Sequence, residues 1–238
     1  MTTIIKVIIA TLISLMFFSC DFNSGVQGNG NVQTEERLHN ETFSSIDVSE
    51  GLDVYLSESD IQNISVEADE NLHKLIITEV IDDVLKIHTS QNIRQAHSKK
   101  VMVSFKGISK IKSASGSRVY STNIINSERL ELSTSSGSTM KVNLNANILS
   151  CKASSGSTLN VSGKTDNLTA KSSSGSSIKA EDLNAISSNA TASSGSSIII
   201  KTSKELTANA SSGGSVRYYG LPEKVNKSNS SGGSISKK

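Results

Sequence analysis

Six basic residues occupy two fixed positions around a repeated Ser-Gly motif in the second half of the chain. Four residues before the motif glycine stand Lys112, Lys152 and Lys171, and four residues after it stand Lys141, Lys179 and Arg217. If the repeats stack, side chains at one position form a ridge of positive charge. Such a ridge can bind an anionic glycan or an acidic protein face. A solvated outer face of a sheet is the alternative interpretation.

Catalysis on sugar chains needs paired carboxylates, or a metal with a basic residue, at one place. In the repeat half only Glu181 and Asp182 are adjacent, and neighbours along a strand point to opposite faces. The chain has no Trp to stack on sugar rings. The histidines lack the spacing of metal ligands. We therefore expect no catalytic site, metal or cofactor, and keep a polysaccharide lyase or hydrolase as an alternative.

The amino terminus predicts export. An apolar run from Val7 to Phe18 is too short to span a bilayer as a typical helix, and indicates a signal peptide over residues 1–19. Residues 16–20, Met-Phe-Phe-Ser-Cys, look like a relaxed bacterial lipobox, in which Cys20 becomes the acylated first residue, a membrane anchor. Cleavage slightly later, which leaves Cys20 free, is the alternative. Residues 20–40 are predicted as a flexible tether.

The motif glycines recur with a period near twenty residues. Successive glycines are 18 to 21 residues apart: Gly116, Gly137, Gly156, Gly175, Gly195, Gly213 and Gly232. A fixed period of this length is typical of a solenoid with stacked coils. Glycine accepts backbone angles that a side chain forbids, so each motif is predicted to be a bend. The serine before each glycine forms a column whose direction the sequence leaves open.

Apolar residues alternate with polar ones on both sides of the bend. Odd offsets from the glycine are mostly aliphatic and even offsets mostly polar, a period of two that predicts strands. We expect strand, bend, strand and then an exposed connector that absorbs the variation in period. One coil alone buries too little to offset its ordering cost, so the coils must stack. The predicted fold is all-β, a parallel β-helix with about 18–21 residues per coil.

Residues 41–112 are predicted to be an irregular β portion that caps the regular repeats of residues 113–238, within one domain. Strands are expected at 43–48, 52–56, 64–68, 84–88 and 101–105, whereas 71–80 fits a short helix or a strand. Cys151 stands at an inward position of its coil and is expected to be a small buried hydrophobe. With Cys20 acylated, no intramolecular disulfide can form.

The order and spacing of several segments resemble a known family. They are Phe43–Leu56 (FSSIDVSEGLDVYL), Val66–Leu72 (VEADENL), Asp83–Ile87 (DVLKI) and Ser115-Gly116-Ser117. From about Leu38 to Ser236 the chain is similar to the autotransporter adhesin head family, also called the GIN domain. The resemblance implies a right-handed β-helix in an envelope lipoprotein without established biochemical activity. Lys106-Gly107-Ile108 departs from the Pro-containing turn expected there.

These observations predict a non-enzymatic, lipid-anchored envelope protein, at the outer membrane on either face, whose elongated surface serves adhesion. Its partner would be a glycan, a host protein or another envelope protein. A passive structural or self-assembling element is a further alternative. Nucleic acid is not expected, because the chain is exported and its formal net charge is only +2.

Overall fold

The computed structural model of the protein describes Ile5, residues 25–37 and residues 41–238. Cys20 and, apart from Ile5, the predicted signal peptide lie outside these ranges. Within them, no helix has the length and apolar character needed to cross a bilayer.

The described residues of the amino-terminal part form nine short strands. They are β1 (Val26–Gln27), β2 (Val32–Arg37), β3 (Ser45–Val48), β4 (Asp53–Glu58), β5 (Asn63–Asp69), β6 (Ile76–Ile81), β7 (Val84–Thr89), β8 (Ile93–Gln95) and β9 (Lys99–Phe105). The five strands expected from the sequence correspond to β3, β4, β5, β7 and β9. Residues 71–80 contain the end of a 3-10 turn (Glu70–Leu72) and most of β6, so both interpretations of that segment hold in part.

Ten strands build the repeat part. They are β10 (Lys110–Ser113), β11 (Arg118–Ser121), β12 (Ile125–Thr134), β13 (Thr139–Ala153), β14 (Thr158–Ser172), β15 (Ser177–Ala192), β16 (Ser197–Ala210), β17 (Ser215–Tyr219), β18 (Lys224–Asn229) and β19 (Ser234–Lys237). Each pairs in parallel with strands of the neighbouring coils. The predicted all-β solenoid with stacked parallel coils is confirmed.

In strands β13 to β16 the expected exposed connectors are instead part of the sheet, whereas residues 122–124 and 220–223 lie between strands, as predicted. Strand β13 runs without interruption through Asn143 to Asn147, and its pairing with β14 continues from Asn143 opposite Ser162 to Ala146 opposite Thr165. The neighbouring coil supplies partners for these polar residues, so they extend the ladder instead of leaving it. Register shifts in the β14–β15 and β15–β16 pairs fall in the same stretch, as predicted for the variation in period.

Inward columns of apolar side chains form the core. The third residue after each glycine is fully buried in six coils: Val119, Met140, Leu159, Ile178, Ile198 and Val216. The fifth residue before each glycine is equally buried: Ile111, Leu132, Cys151, Ala170, Ala190 and Ala208. Cys151 is therefore a core residue, as predicted, and burial raises the pKa of its thiol to about 12. Val225, seven residues before Gly232 and so at one of the odd, aliphatic offsets, is nevertheless 37% exposed, because β18 pairs with β16 on one side and no described strand covers its other side.

The bends share one backbone conformation. The serine before each glycine has a φ of 48–53° and the glycine a φ of 68–76°, so both central residues are left-handed, as in type I′ turns. The serine and glycine are exposed, which places the predicted serine column on the outside. The serine after the glycine points inward and is buried in five coils: Ser117, Ser138, Ser157, Ser176 and Ser196.

An eighth bend lies outside the regular repeats. Glu50 and Gly51 have φ values of 63° and 71° and join β3 to β4. Strand β3 pairs with β7 on one side and β10 on the other, and β4 pairs with β9 and β11. The segment predicted to be irregular thus contains one regular coil, placed between two coils that follow it in sequence.

Antiparallel pairing closes this end of the solenoid. Strand β5 pairs antiparallel with both β9 and β2, and β6 pairs antiparallel with β7. Residues 26–27 and 32–37 were expected in a flexible tether but form β1 and β2, which corrects that prediction for the described residues. Asp69 is fully buried and accepts hydrogen bonds from the backbone N–H groups of Gly30, His97 and Ser98 at 2.9–3.0 Å. These bonds hold the segment before β2 against the cap.

Candidate functional site

The register of the coils separates the predicted basic ridge into two ladders on opposite sides of the bend. Before the bend, Lys152 lies directly beside Lys171, and Ser133 separates Lys152 from Lys112. After the bend, successive coils carry five residues in one line, which we call the cationic column: Lys141, Asn160, Lys179, Ile199 and Arg217. Its cations recur on every second coil, about 9.6 Å apart at the usual strand spacing.

Carboxylates neutralise most of the ladder before the bend. Lys112 Nζ lies 2.9 Å from Asp47 Oδ2, and Lys152 Nζ lies 2.9 Å from Glu131 Oε1. The hydrogen bond from Lys152 holds the pKa of Glu131 below its usual value. Because these pairs are exposed, each contributes little to stability, yet they reduce the charge offered to a ligand.

Carboxylates of the described residues do not neutralise the cations of the cationic column. Among residues 25–37 and 41–238, no carboxylate lies within ion-pair distance of Lys141, Lys179 or Arg217. Both lysines are exposed and Arg217 is half-buried. The two predicted ladders therefore differ: one is largely paired, and the other is available to an external anion.

Hydroxyl groups run beside the cationic column. The second residue after each glycine is a serine or threonine in six consecutive coils, and these residues pair in register: Thr139, Thr158, Ser177, Ser197, Ser215 and Ser234. We call this line the hydroxyl column. Since side chains two apart on a strand share a face, it lies on the same outer face as the cations. The face combines fixed positive charge with donors and acceptors of hydrogen bonds.

A groove of about 340 Å³ opens between two cations of the column. Its lining includes Lys141, Asn160 and Lys179, together with Glu181 and Asp182. The two acids were expected to point apart, but they line the same groove. A register shift between Asn160 and Gly163 disturbs the regular alternation opposite them. The Oε2 atom of Glu181 is buried and has no hydrogen-bond partner in the described chain.

Two stacked tyrosines continue the cationic column toward the cap. Tyr55 pairs with Tyr120, which pairs with Lys141, and the two rings lie 5.4 Å apart with planes 25° from parallel. Arg118 binds Asp53 beside them through two hydrogen bonds of 2.6 and 2.9 Å. This tyrosine pair was not predicted from the sequence. The sequence does contain a sign of it. Glu50-Gly51 takes the place of the Ser-Gly motif, and Tyr55 stands four residues after its glycine, as Lys141 does after Gly137.

Comparison with known families decides the classification. Residues 42–222 match the family model described as "Putative auto-transporter adhesin, head GIN domain". The chain belongs to this family. The resemblance noted in the sequence is thereby confirmed, and membership of an adhesin family supports an adhesin-like role at the cell envelope or surface. No curated protein matches the GIN-domain chain.

Solved structures share the fold of this GIN domain. A putative adhesin from Bacteroides fragilis is 18% identical with a TM-score of 0.82, over 90% of this chain and 100% of its own. A putative lipid binding protein from Parabacteroides distasonis is 23% identical with a TM-score of 0.72, over 90% and 99%. A putative adhesin from Parabacteroides merdae is 19% identical with a TM-score of 0.70, over 90% and 99%. At these identities the likeness concerns the fold alone.

Proposed function

We propose that this GIN-domain protein is a lipid-anchored, non-enzymatic adhesin of the bacterial cell envelope. The observation that carries the proposal is the cationic column, a line of Lys141, Lys179 and Arg217 without ion pairs in the described chain. A rigid β-ladder holds these cations at fixed distances, and the hydroxyl column flanks them. Such a face suits the recognition of an extended partner, either a glycan or a protein with an acidic surface.

Lipid on Cys20 would hold the protein at the membrane. Because Val26 already belongs to β1 at the cap, the five residues 21–25 span at most about 18 Å. The anchor would therefore keep the capped end near the bilayer. The variant Cys20→Ser should lose fatty-acid labelling and membrane association. Retention of the label in this variant would show that Cys20 is not the acylated residue.

Binding is tested on the protein that begins at residue 21, which contains every described strand. Glycan arrays and pull-downs from envelope and host-matrix extracts should yield a specific partner. Partner binding should fall when Lys141, Lys179 and Arg217 are together replaced by Gln. Blank arrays and pull-downs would leave only a passive structural role. Protease treatment of intact cells, which should cleave a surface adhesin but spare a periplasmic one, tests the location.

One observation favours a second candidate, a carbohydrate-active enzyme. Glu181 and Asp182 line one groove beside two lysines, so two acidic residues do lie at one place, which glycoside hydrolysis requires. Turnover of an acidic polysaccharide that is abolished by Glu181→Gln or by Asp182→Asn would establish this candidate. Binding without turnover would favour the adhesin.

A further inference from the structure

We infer that the cationic column binds a linear acidic polysaccharide in which charged and neutral sugars alternate, laid along the solenoid axis. This inference rests on the proposed adhesin function and names the ligand class of the same face. Three features support it: the spacing of the cations, the groups between and beside them, and the contrast with the largely paired ladder across the bend.

The spacing requires a ligand with widely separated charges. Lys141, Lys179 and Arg217 recur on every second coil, about 9.6 Å apart. A nucleic-acid strand carries a phosphate about every 3.4 Å along a duplex, so most of its charges would face no cation here. A glycan with one carboxylate in each two-sugar repeat has charges far enough apart to meet one cation each.

The residues between the cations select against additional charge. On the coil between Lys141 and Lys179 the column carries the neutral Asn160, and the groove there is also lined by Glu181 and Asp182. A ligand carboxylate in this groove would be repelled by the two acidic residues that line it. Repulsion of this kind gives specificity by penalising the wrong ligand. A neutral sugar is accepted there, with the Asn160 amide available for its hydroxyl groups.

The flanking residues fit a sugar chain. The hydroxyl column runs parallel to the cations for six coils, so each sugar passes a serine or threonine. Between Lys179 and Arg217 the column carries the half-buried Ile199, which offers apolar contact to the C–H face of a sugar ring. Across the bend, Lys112 and Lys152 already bind Asp47 and Glu131.

The test uses residues 21–238 and titrates oligosaccharides of hyaluronate, which alternates uronate with a neutral amino sugar. Replacing Lys141, Lys179 and Arg217 together by Gln should weaken binding at least about tenfold, because three charge contacts are lost. The matched control replaces Lys112, Lys152 and Lys171 by Gln, which removes the same charge and should change affinity less than about threefold. Circular dichroism of both variants verifies that the fold is retained.

Selectivity is measured against polygalacturonate, a homopolymer with one carboxylate on every sugar. The wild-type protein should prefer hyaluronate, and Glu181→Gln should reduce that preference. Equal losses in the two triple variants, or a preference for the homopolymer, would overturn the inference. If no acidic polysaccharide binds but a pull-down yields a protein partner through the cationic column, the ligand class is wrong and the adhesin function stands. Failure in every assay would remove both.

Discussion

The backbone N–H of Gly156 donates to the carbonyl oxygen of Ser174, 3.0 Å away on the next coil. The same bond joins the glycine of one bend to the serine of the following bend in six successive pairs, at 3.0–3.1 Å. Because serine and glycine are both left-handed, the bend keeps its peptide groups in the ladder between coils. The sheet is therefore hydrogen-bonded through its bends as well as along its strands.

The bend glycines are needed for their backbone conformation and not for space. A Cβ at Gly156 would meet nothing within 4 Å, but its φ of +68° is left-handed. Gly156→Ala should lower the free energy of unfolding by about 1–2 kcal/mol, measured by urea titration. Gly107 is the matched control, since it too has open space but no positive φ. Gly107→Ala should be neutral or slightly stabilising, and equal effects at the two sites would contradict the explanation.

The inward serine, present in five of the bends, stabilises its bend by hydrogen bonding. The buried Ser157 hydroxyl lies 2.8 Å from the carbonyl oxygen of Ser154 and 3.0 Å from Thr134 Oγ1, and it accepts the Ser154 N–H at 3.2 Å. Ser157→Ala removes this shared partner and should cost about 1–3 kcal/mol of unfolding free energy. The half-exposed Ser150 provides the control, and Ser150→Ala should change stability by less than about 0.5 kcal/mol. Equal losses in the two variants would contradict a specific role for the inward serine.

Acid should weaken the cap through Asp69. Burial opposes its ionisation, but the backbone N–H groups of Ser98, Gly30 and His97 outweigh burial and hold the pKa of Asp69 below its usual value. The stabilisation is thus complete above the unfolded-state pKa of about 3.9 and is lost as the pH falls through the lower folded pKa.

Urea unfolding of the wild-type protein should show this loss as the pH falls below about 4. Asp69→Asn should be less stable at neutral pH and should show a shallower decline in acid. The exposed Asp60 serves as the control, and Asp60→Asn should reproduce the wild-type profile. A wild-type slope in the Asp69→Asn variant would mean that other carboxylates cause the acid sensitivity.

Cys151 should be inert while the protein is folded. Its side chain is fully buried, and burial raises the pKa of the thiol to about 12, so almost no thiolate forms near neutral pH. In residues 21–238, a thiol reagent monitored by absorbance should react with Cys151 only after urea is added. The variant Ser150→Cys adds an outward-facing thiol on the same strand, which should react at once in the folded state. Rapid labelling of Cys151 without urea would show that the coils open locally.

Part of the binding face could be predicted from the sequence. The shared offset of Lys141, Lys179 and Arg217 from their glycines places them in one column once the coils stack in register. That they form no ion pair with the described residues could not be predicted in this way. Asp47 is 65 residues from Lys112 in sequence, and only the insertion of the β3–β4 coil beside β10 brings their side chains to 2.9 Å.

The groove and the cap needed the structure for different reasons. Glu181 and Asp182 share a groove because a register shift interrupts the alternation, and a shift depends on the pairing of two coils, not on either one alone. The segment before the repeats has no fixed sequence period that would reveal which strands pair. Several of its strands pair antiparallel, some with partners distant in the chain. Glu50-Gly51 lacks the serine of the other bends, so the eighth bend could not be recognised from the Ser-Gly motif.

By itself, the sequence determined the period, the bends and the inward columns, because these follow from local backbone preference and from an alternation repeated in every coil. The tertiary structure alone decided the order of coils at the cap and which cations find a carboxylate among the described residues. Both depend on contacts between residues far apart in the chain, whose partners are chosen by the packing of the whole solenoid and not by any local pattern.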